Sequence, residues 1–455
     1  MLCSIYSLEI LYKKYASNSR LSFLCVPLER SEKGMEYFMD KTDFSNKSIY
    51  DVLKERDLIK QITYENEFKE LMSKEKTHVY LGIDPTADSI HIGHFIPLMM
   101  MSYFQKCGHT PIILIGGGTA FIGDPSGKTD MRKMLTNEEI SHNVDNIIKQ
   151  VSKFISFEGE NAAIIVNNGD WILDLNYMNF IRTYGIYFNV NRMLDAECFK
   201  QRMEKGLTFF ELNYMLMQSY DFLHLFETFG CKVEIGGDDQ WSNMLAGVDL
   251  IRKIHKNGSF CVTCPLLLNA EGKKMGKTVS GALWLDAKKT SPYEFYQYWR
   301  NIQDSEVYDV LRMLTFLPMD EVKRLSSLEG EAINNAKKIA AYEITKLIHG
   351  KEAADEAKKT SEELFENSNS AENMPNANIQ KSDFNDNSIN IIDLLVKIDL
   401  LPSKSQARTL VEQGGISIND IKITDTKHNL TIDDFTNNGI IIKKGKKVFI
   451  KVNLI

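Results

Sequence analysis

The stretch "HVYLGIDPTADSIHIGHFIPLMMMSYFQKCG", His78 to Gly108, decides the fold. Its opening, "HVYLGID", is a short apolar run rich in strand formers, and Asp84-Pro85 closes it. From Ser89 the apolar residues recur at helical spacing until Gly108, so a helix follows the strand. Pro97 must then sit in the first turns of that helix or bend it. Two histidines and a glycine, His91, Gly93 and His94, stand at the helix start, where packing alone does not ask for them.

The same alternation continues outward. "PIILIGGGTAFIGDPSGK" predicts a buried strand entering a glycine-rich loop, and "TNEEISHNVDNIIKQVSKFIS" a helix opened by Thr136 with Glu139 completing a capping box. "AAIIVNN" and "CKVEIGG" are further strands, separated by helices through "NYMNFIRTYG" and "GLTFFELNYMLMQSYDFLHLFETFG" and followed by "DQWSNMLAGVDLIRKIH". Residues from Asp43 to Lys76 carry a helical pattern throughout. Strands alternating with helices predict an α/β fold with a Rossmann-like parallel sheet covered on both faces. Ligands gather at the carboxyl ends of such strands. The polar clusters fall there: Tyr80 to Thr86, Gly116 to Lys128, Asn167 with Asn168, and Gly236 to Gln240. One composite pocket is expected.

After "GALWLD" the pattern becomes helical, then Asn/Ser-rich, then a mixture of short helices and short strands. The expected organisation is an N-terminal extension outside the fold (1–42), a catalytic α/β domain (43–288), an α-helical domain (289–360), a flexible linker (361–387) and a small α+β domain (388–455). The extension has positive charges and some amphipathic character, yet it contains Glu9, Glu29 and Glu32 and no compact apolar region. A non-structural extension, or a mistaken start upstream of Met35 or Met39, accounts for it better than a transit segment.

The bulk numbers narrow the class. With 43% hydrophobic and 25% charged residues over 455 positions, the chain belongs among soluble globular proteins of two or three domains. No apolar run approaches the length of a membrane span, so no membrane partner is expected. Seven cysteines, odd in number and irregularly spaced, suggest reduced thiols and a cytoplasmic setting. Cys261 and Cys264 in "CVTC" lack a second pair at zinc-binding spacing and lie in a strand pattern. A formal charge of -7 argues against indiscriminate coating of nucleic acid. From Leu400 to Ile455, however, nine Lys/Arg stand against five Asp/Glu, which favours a local RNA contact over a merely solvated surface.

"GGGTAFIGDPSGKT" fails the P-loop spacing, because Ile122 occupies the position five before Gly127. It also lacks the dinucleotide fingerprint. In "HIGH" the two imidazoles, three residues apart, share one helix face. Gly93 would let a flat group approach, and free N–H groups at the helix start would attract phosphate. Two histidines at a helix end are, taken alone, as readily capping or surface residues. The second signal is "KKMGKT", where Lys274 and Lys277 bracket a glycine and are suited to gripping a pyrophosphate as charge moves onto it.

Together these motifs resemble the class I aminoacyl-tRNA synthetases, and from about Ser45 to Ile455 the chain is similar to the bacterial-type tyrosyl-tRNA synthetase family. The carrying stretches are "YLGIDPTADSIHIGH", "GGGTAFIGDPSGK", "YMLMQSYD", "IGGDDQWSNMLAG" and "KMGKTVSGALWLD". The tryptophanyl enzymes are near neighbours, but "GIDPTADSIHIGH" and "YMLMQSYDF" favour tyrosine. The resemblance implies that Tyr80 and Asp221 hydrogen-bond the substrate phenol, which allows about 10⁴–10⁵-fold rejection of phenylalanine without editing. It implies that Asp124, Tyr214 and Gln218 receive the ammonium, with Gly82, Asp84 and Gln240 as further amino-acid contacts. Thr86, His91, His94, Lys274, Lys277 and Thr278 become the catalytic set around the ATP phosphates, with Gly93 under the nucleotide and Gly237 and Asp239 at the ribose. Lys128 and Arg132 would assist from the loop.

The resemblance further implies ATP as substrate with Mg²⁺ accompanying it, L-tyrosine and tRNA(Tyr) as partners, a homodimer, and activation to tyrosyl-adenylate before transfer to the tRNA. The 289–360 region would be an anticodon-recognition domain and the last domain an S4-like RNA-binding module. In that module Ser403, Lys404, Ser405, Gln406 and Arg408 would meet RNA backbone. Four positions depart from the commonest pattern. Glu234 stands where glutamine is frequent, Asp238 where serine is frequent, and Gly276 and Thr278 where the wider class carries serines. Pro97 would remove a polar contact that some relatives make to ATP. The competing reading, an RNA-binding protein on an inactive synthetase fold, is disfavoured by intact His91, His94, Lys274 and Lys277.

Overall fold

A computed structural model describes residues 44, 47–126, 136–278, 281–366, 375–384, 387–419, 421–435, 439–445 and 448–455. The expected extension 1–42, Lys128 and Arg132 lie outside the described residues, as do the side chains of Lys277 and Thr278. Two compact units emerge, one formed by residues up to 290 together with 302–340, the other by 291–301 and 341–455.

The first unit is built on a six-stranded sheet. Its strands are β1 (Gln61–Ile62), β2 (His78–Ile83), β3 (Thr110–Ile115), β4 (Ile164–Asn167), β5 (Val233–Gly237) and β6 (Phe260–Cys264), in the order β1-β6-β5-β2-β3-β4. All neighbours are parallel except β1, which pairs antiparallel with β6. "TPIILI" and "FCVTC" are nearly continuous buried runs, as strands covered on both faces require. Helix α1 (Phe95–Lys106) is apolar on every side and buried from Phe95 to Gln105, with Pro97 in its first turn, where no intrahelical N–H is lost. Helix α2 (Asn137–Val151) has the Thr136/Glu139 capping box read from the sequence. Helix α3 (Phe209–Phe229) opens on a Thr208/Glu211 box and ends at Gly230, whose φ of 67° is left-handed. It packs along α4 (Trp241–His255), which leaves the end of β5 through one 3₁₀ turn.

The N-terminal helical pattern is interrupted, which the periodicity did not foretell. The helix Ile49–Glu55 stops, Asp57 turns at φ 47°, and Gln61–Ile62 joins the sheet before the helix Glu65–Lys74 begins. The cause is long-range. Arg56, 2% exposed, sends its guanidinium to the carbonyls of Arg312 (2.9 Å) and Thr315 (3.0 Å), and to that of Leu317. Arg312 returns a bond to the carbonyl of Asp57 at 3.2 Å. Residues 302–340 are thereby locked to the first unit, although their composition continues the helical stretch predicted from 289.

In the second unit the helix Pro292–Arg300 packs on Lys351–Glu366. A five-stranded sheet follows in the order 421–423, 416–418, 440–444, 448–454, 376–379, beside the helices Ile391–Lys397 and Lys404–Glu412. Strand Val448–Leu454 lies inside this sheet, and Asn376–Ile379 pairs parallel with it at the edge. Regular structure on both sides thus enters the stretch predicted as linker, the helix to Glu366 and the strand from Asn376.

Arg56→Ala removes a donor from three carbonyls, of which Thr315 keeps the Tyr103 hydroxyl at 2.8 Å, and is expected to lower unfolding free energy by about 2–4 kcal/mol. Urea denaturation followed by circular dichroism measures it; a midpoint unchanged from the native protein would contradict the role given to Arg56.

Candidate functional site

Strand β2 sends the chain to β3 and β4 on one side, while β5 and β6 lie on the other. The crevice at that reversal, beyond the carboxyl ends of β2 and β5, is where a parallel sheet leaves room for a ligand. A cleft of about 620 Å³ opens there, and every cleft residue singled out from the sequence whose side chain is described, from Tyr80 to Lys274, lines it.

Asp84, the first residue past β2, organises the middle of the cleft. Its Oδ1 accepts from Thr119 Oγ1 at 2.8 Å and its Oδ2 from Tyr214 Oη at 2.8 Å. Tyr214 is therefore bound to Asp84, and burial with that neighbouring carboxylate raises its pKa well above the usual phenol value. Gly116 explains how the β2 and β3 ends come so close: a Cβ there would lie 2.0 Å from Asp84 Oδ1. Asp124, on the glycine-rich loop, accepts from the backbone N–H of Ser126 at 2.9 Å and from Gln240 Nε2 at 2.7 Å. Asn243 steadies both partners, donating to Ser126 Oγ (3.2 Å) and Gln240 Oε1 (3.3 Å).

The floor is made by Tyr80, Asp221, Gln218 and Glu234. Tyr80 is buried and its hydroxyl makes no hydrogen bond. Asp221 is buried on α3, with Trp171 Nε1 donating to Oδ1 (2.7 Å) and Asn168 Nδ2 to Oδ2 (2.9 Å). Burial pushes its pKa well above the ordinary carboxylate range, against those two donors, which favour the charged form. Asn168 also receives the N–H of Gly118 at 2.7 Å and donates to Thr119 at 3.0 Å, tying the loop to the floor. Gln218 Nε2 donates to Glu234 Oε1 at 2.9 Å. Burial lifts the Glu234 carboxyl to about 7, with the Gln218 amide and the Tyr80 hydroxyl pulling the other way. Trp171 and the hydrogen bonds of Glu234 escaped the sequence reading, which placed Asn168 only among the polar strand ends. Only the polar end of "AAIIVNN" hinted at Asn168, and nothing local marks Trp171.

At the mouth, His91 Nδ1 accepts from the N–H of Gly93 at 3.0 Å, and the His91 and His94 rings lie 4.4 Å apart. The capping alternative is thus realised, and it also serves chemistry. A ring nitrogen that accepts carries no proton, so the neutral ring bears its hydrogen on Nε2 as a donor. Gly93 is required for this, since a Cβ would stand 2.7 Å from His91 Cε1. The free N–H groups expected at the helix start are not free. Ile92 donates to Leu283 at 3.2 Å, Gly93 to His91, and His94 to the His91 carbonyl at 3.0 Å. Anion attraction here falls to side chains. Lys274 Nζ lies 3.4 Å from Asp239 Oδ2, beside Gly237. Gly276, at φ 85°, lies so close to Ile92 that a Cβ would come to 1.6 Å, which brings the lysine loop against the "HIGH" segment. A polar floor, a carboxylate-rich waist and a basic mouth suit an amphipathic cation-bearing molecule below a polyphosphate.

Ser403 caps Lys404–Glu412, accepting from the Gln406 N–H at 3.3 Å; Lys404 pairs with Asp393 at 2.6 Å, and Ser405, Gln406 and Arg408 are exposed. These residues belong to the second unit, described by itself.

Residues 72–366 match the family model "tRNA synthetases class I (W and Y)", and 366–452 match "Tyrosine--tRNA ligase SYY-like C-terminal domain". A tyrosine--tRNA ligase of Acetivibrio thermocellus is 57% identical over 90% of this chain and 100% of its own length; one of Clostridium tetani is 58% identical over 89% and 98%. Among solved structures, a C-terminally truncated mitochondrial tyrosyl-tRNA synthetase of Aspergillus nidulans superposes with TM-score 0.63 at 29% identity, covering 73% of this chain and 98% of that one. An Archaeoglobus fulgidus tyrosyl-tRNA synthetase shares the fold at TM-score 0.53 and 19% identity, over 68% and 99% of the two chains.

Gly116→Ala would push a methyl group into the Asp84 carboxylate and is expected to cost about 1–3 kcal/mol, since both close atoms belong to a fixed hydrogen-bonded group. Chemical denaturation tests this; stability equal to the native protein would show that Asp84 can yield.

Proposed function

The chain belongs to the class I tRNA synthetases, in their tyrosine--tRNA ligase branch, and from that membership we infer that it activates L-tyrosine with ATP and transfers the tyrosyl group to tRNA(Tyr). The observation carrying the site assignment is the floor-to-mouth order of the cleft. An unbonded, buried Tyr80 hydroxyl and a carboxylate held by two N–H donors face the place of a phenol, below two neighbouring imidazoles and Lys274.

The tyrosine carboxylate attacks the α-phosphate of ATP, the bond to the leaving pyrophosphate breaks, and tyrosyl-adenylate forms. The terminal ribose hydroxyl of tRNA then attacks the acyl carbonyl and AMP departs. Neither step needs a protein nucleophile, so the residues act by orientation and charge. Tyr80 and Asp221 engage the phenol. Asp124, Tyr214 and Gln218 receive the ammonium, the bond of Tyr214 to Asp84 fixing that hydroxyl in place; Gly82, Asp84 and Gln240 line the same space. Thr86, His91, His94 and Lys274, with Lys277 and Thr278 by resemblance, stabilise the phosphates, while Gly93, Gly237 and Asp239 fit the nucleoside. Mg²⁺ enters as part of the ATP substrate. Among the described residues no three His, Cys, Asp or Glu are grouped to hold a metal.

The α+β unit is assigned as an S4-like RNA-binding module, on its basic balance and the exposed Ser405, Gln406 and Arg408 at a helix start. A homodimer is supported by apolar side chains left open to solvent: Leu173, Tyr177, Met178, Ile186, Val190 and Phe209. The five described cysteines are all buried free thiols, which fits a reducing, cytoplasmic compartment.

Tyrosine-dependent ATP–pyrophosphate exchange is expected with the native protein. With Asp221→Ala the preference for tyrosine over phenylalanine should fall by about two orders of magnitude or more. No exchange above background, or exchange with tryptophan and not tyrosine, would sink the reading, and an unchanged preference would remove Asp221 from the phenol.

Ile186→Glu places a charge in the apolar surface and is expected to convert a sedimenting dimer into monomer. A native protein that already sediments as monomer would overturn the assembly.

A further inference from the structure

Glu234 has no part in the roles set out above, yet it is a carboxyl group buried at the end of the amino-acid pocket. It is the register partner of Tyr80 on the adjacent parallel strand, so both side chains leave the same face of the sheet. Its Oε1 is occupied by the Gln218 amide. Its Oε2 is buried and makes no hydrogen bond, and the same holds for Tyr80 Oη beside it and for Gln218 Oε1. A carboxyl oxygen and a phenol oxygen left unsatisfied together in the core need an explanation, because each costs free energy unless a hydrogen lies between them or a ligand completes the set.

Counting hydrogens supplies it. With tyrosine bound, four oxygen groups stand in a row: Glu234, Tyr80, the substrate phenol and Asp221. Three links need three hydrogens. If both carboxyls are ionised there are only two, on Tyr80 and the phenol; each is drawn to a carboxylate, and the two phenol oxygens meet lone pair to lone pair. One proton on Glu234 Oε2 completes the row. Oε1 cannot carry it without losing the Gln218 bond. Burial raises the pKa of Asp221 as well, but each of its oxygens receives an N–H while Glu234 receives one only, so the hydrogen-bond geometry leaves the charge on Asp221 and the proton on Glu234.

We propose that Glu234 is a positioning residue for side-chain selection: it holds a proton on Oε2 and donates to Tyr80 Oη, Tyr80 donates to the substrate phenol oxygen, and the phenol O–H is left to Asp221. This rests on the tyrosine reading of the cleft. No covalent bond changes; the proton stays on Glu234 and leaves to solvent only when the site empties at higher pH. The same carboxyl turns the Gln218 amide so that its nitrogen is committed and its oxygen remains available to the ammonium.

The groups facing Glu234 are Tyr80 on β2, Gln218 and Asp221 on α3, Cys231 before β5 and Cys261 on β6. None is a cation; the Gln218 amide and the Tyr80 hydroxyl favour the charged form, but burial outweighs them and sets the carboxyl near neutrality, at about 7. Bound tyrosine favours the protonated form and raises that value further. Affinity for the phenol is therefore complete below about pH 7 and falls as pH rises through it. Glutamine has the shape and the hydrogen-bonding pattern of a protonated glutamate, but no proton to lose.

The experiment is ATP–pyrophosphate exchange with tyrosine and with phenylalanine, at about pH 6.5 and about pH 8.5, for the native protein and Glu234→Gln. Taking the ratio of the two kcat/KM values cancels titration of the substrate ammonium, the phosphates and the histidines. The native ratio should fall roughly ten-fold between the two pH values, mostly in the KM for tyrosine, while the variant ratio stays within about two-fold. A native ratio that does not change with pH overturns the proposal, as does a Glu234→Gln ratio falling in parallel with the native one. Should the variant fail to fold, the native ratio alone decides. A native protein that exchanges with neither amino acid at either pH overturns the tyrosine reading itself, and this inference with it.

Discussion

The carboxylate of Asp84 is the contact on which the rest of the site depends. It stands one residue beyond β2 and takes hydrogen bonds from Thr119, after β3, and from Tyr214, in α3. Three segments that the chain makes far apart are thereby held at one point. Thr119 in turn receives Asn168 after β4, and Asn168 fixes Asp221. Removing the first link would loosen the floor as well as the waist, because the orientation of Asp221 is inherited along this line. Gly116 is the steric condition for it, a place where the backbone must pass within van der Waals reach of a charged group.

The cleft gathers several carboxyl groups with few cations: Asp84, Asp124, Asp221 and Glu234 inside, Lys274 at the mouth. Such crowding would repel itself if each were bare. Instead, each accepts from neutral donors: hydroxyls, amides, an indole, a backbone N–H. Neutral donors of this kind stabilise a carboxylate without repelling the ammonium of a substrate. The basic residues are kept apart at the mouth, where charge is transferred to pyrophosphate. Attraction for the cationic end and for the anionic end of the reacting pair is thus separated along the axis of the cleft.

Much of this was legible in the residues. Strand, turn and helix over His78–Gly108 follow from periodicity and from Pro97 lying where a helix tolerates it, and the capping box at Thr136 fixes a helix start. The cleft residues fall at strand ends, and parallel-sheet geometry brings strand ends together. What stayed hidden depends on partners distant in sequence. Arg56 ends a helix whose local pattern would continue, because carbonyls beyond residue 310 draw its guanidinium away. Trp171 and Asn168 matter only because Asp221, some fifty residues later, lies against them. The free N–H groups expected before α1 were already spent on His91, as the capping alternative allowed, and on the distant Leu283 carbonyl, which no pattern in "HIGH" could reveal.

The strand Val448–Leu454 lies inside the smaller sheet, with Asn376–Ile379 beyond it at the edge. The edge strand is synthesised first, yet its only neighbour comes last of all the strands. During translation the stretch around residue 376 must therefore wait, its backbone groups unsatisfied, until residue 454 has left the ribosome. A chain that stops between residues 341 and 447 contains the whole first unit but lacks the strand against which Asn376–Ile379 pairs. Such a product presents an open strand edge, so the order of the strands ties closure of the small sheet to the synthesis of Val448–Leu454.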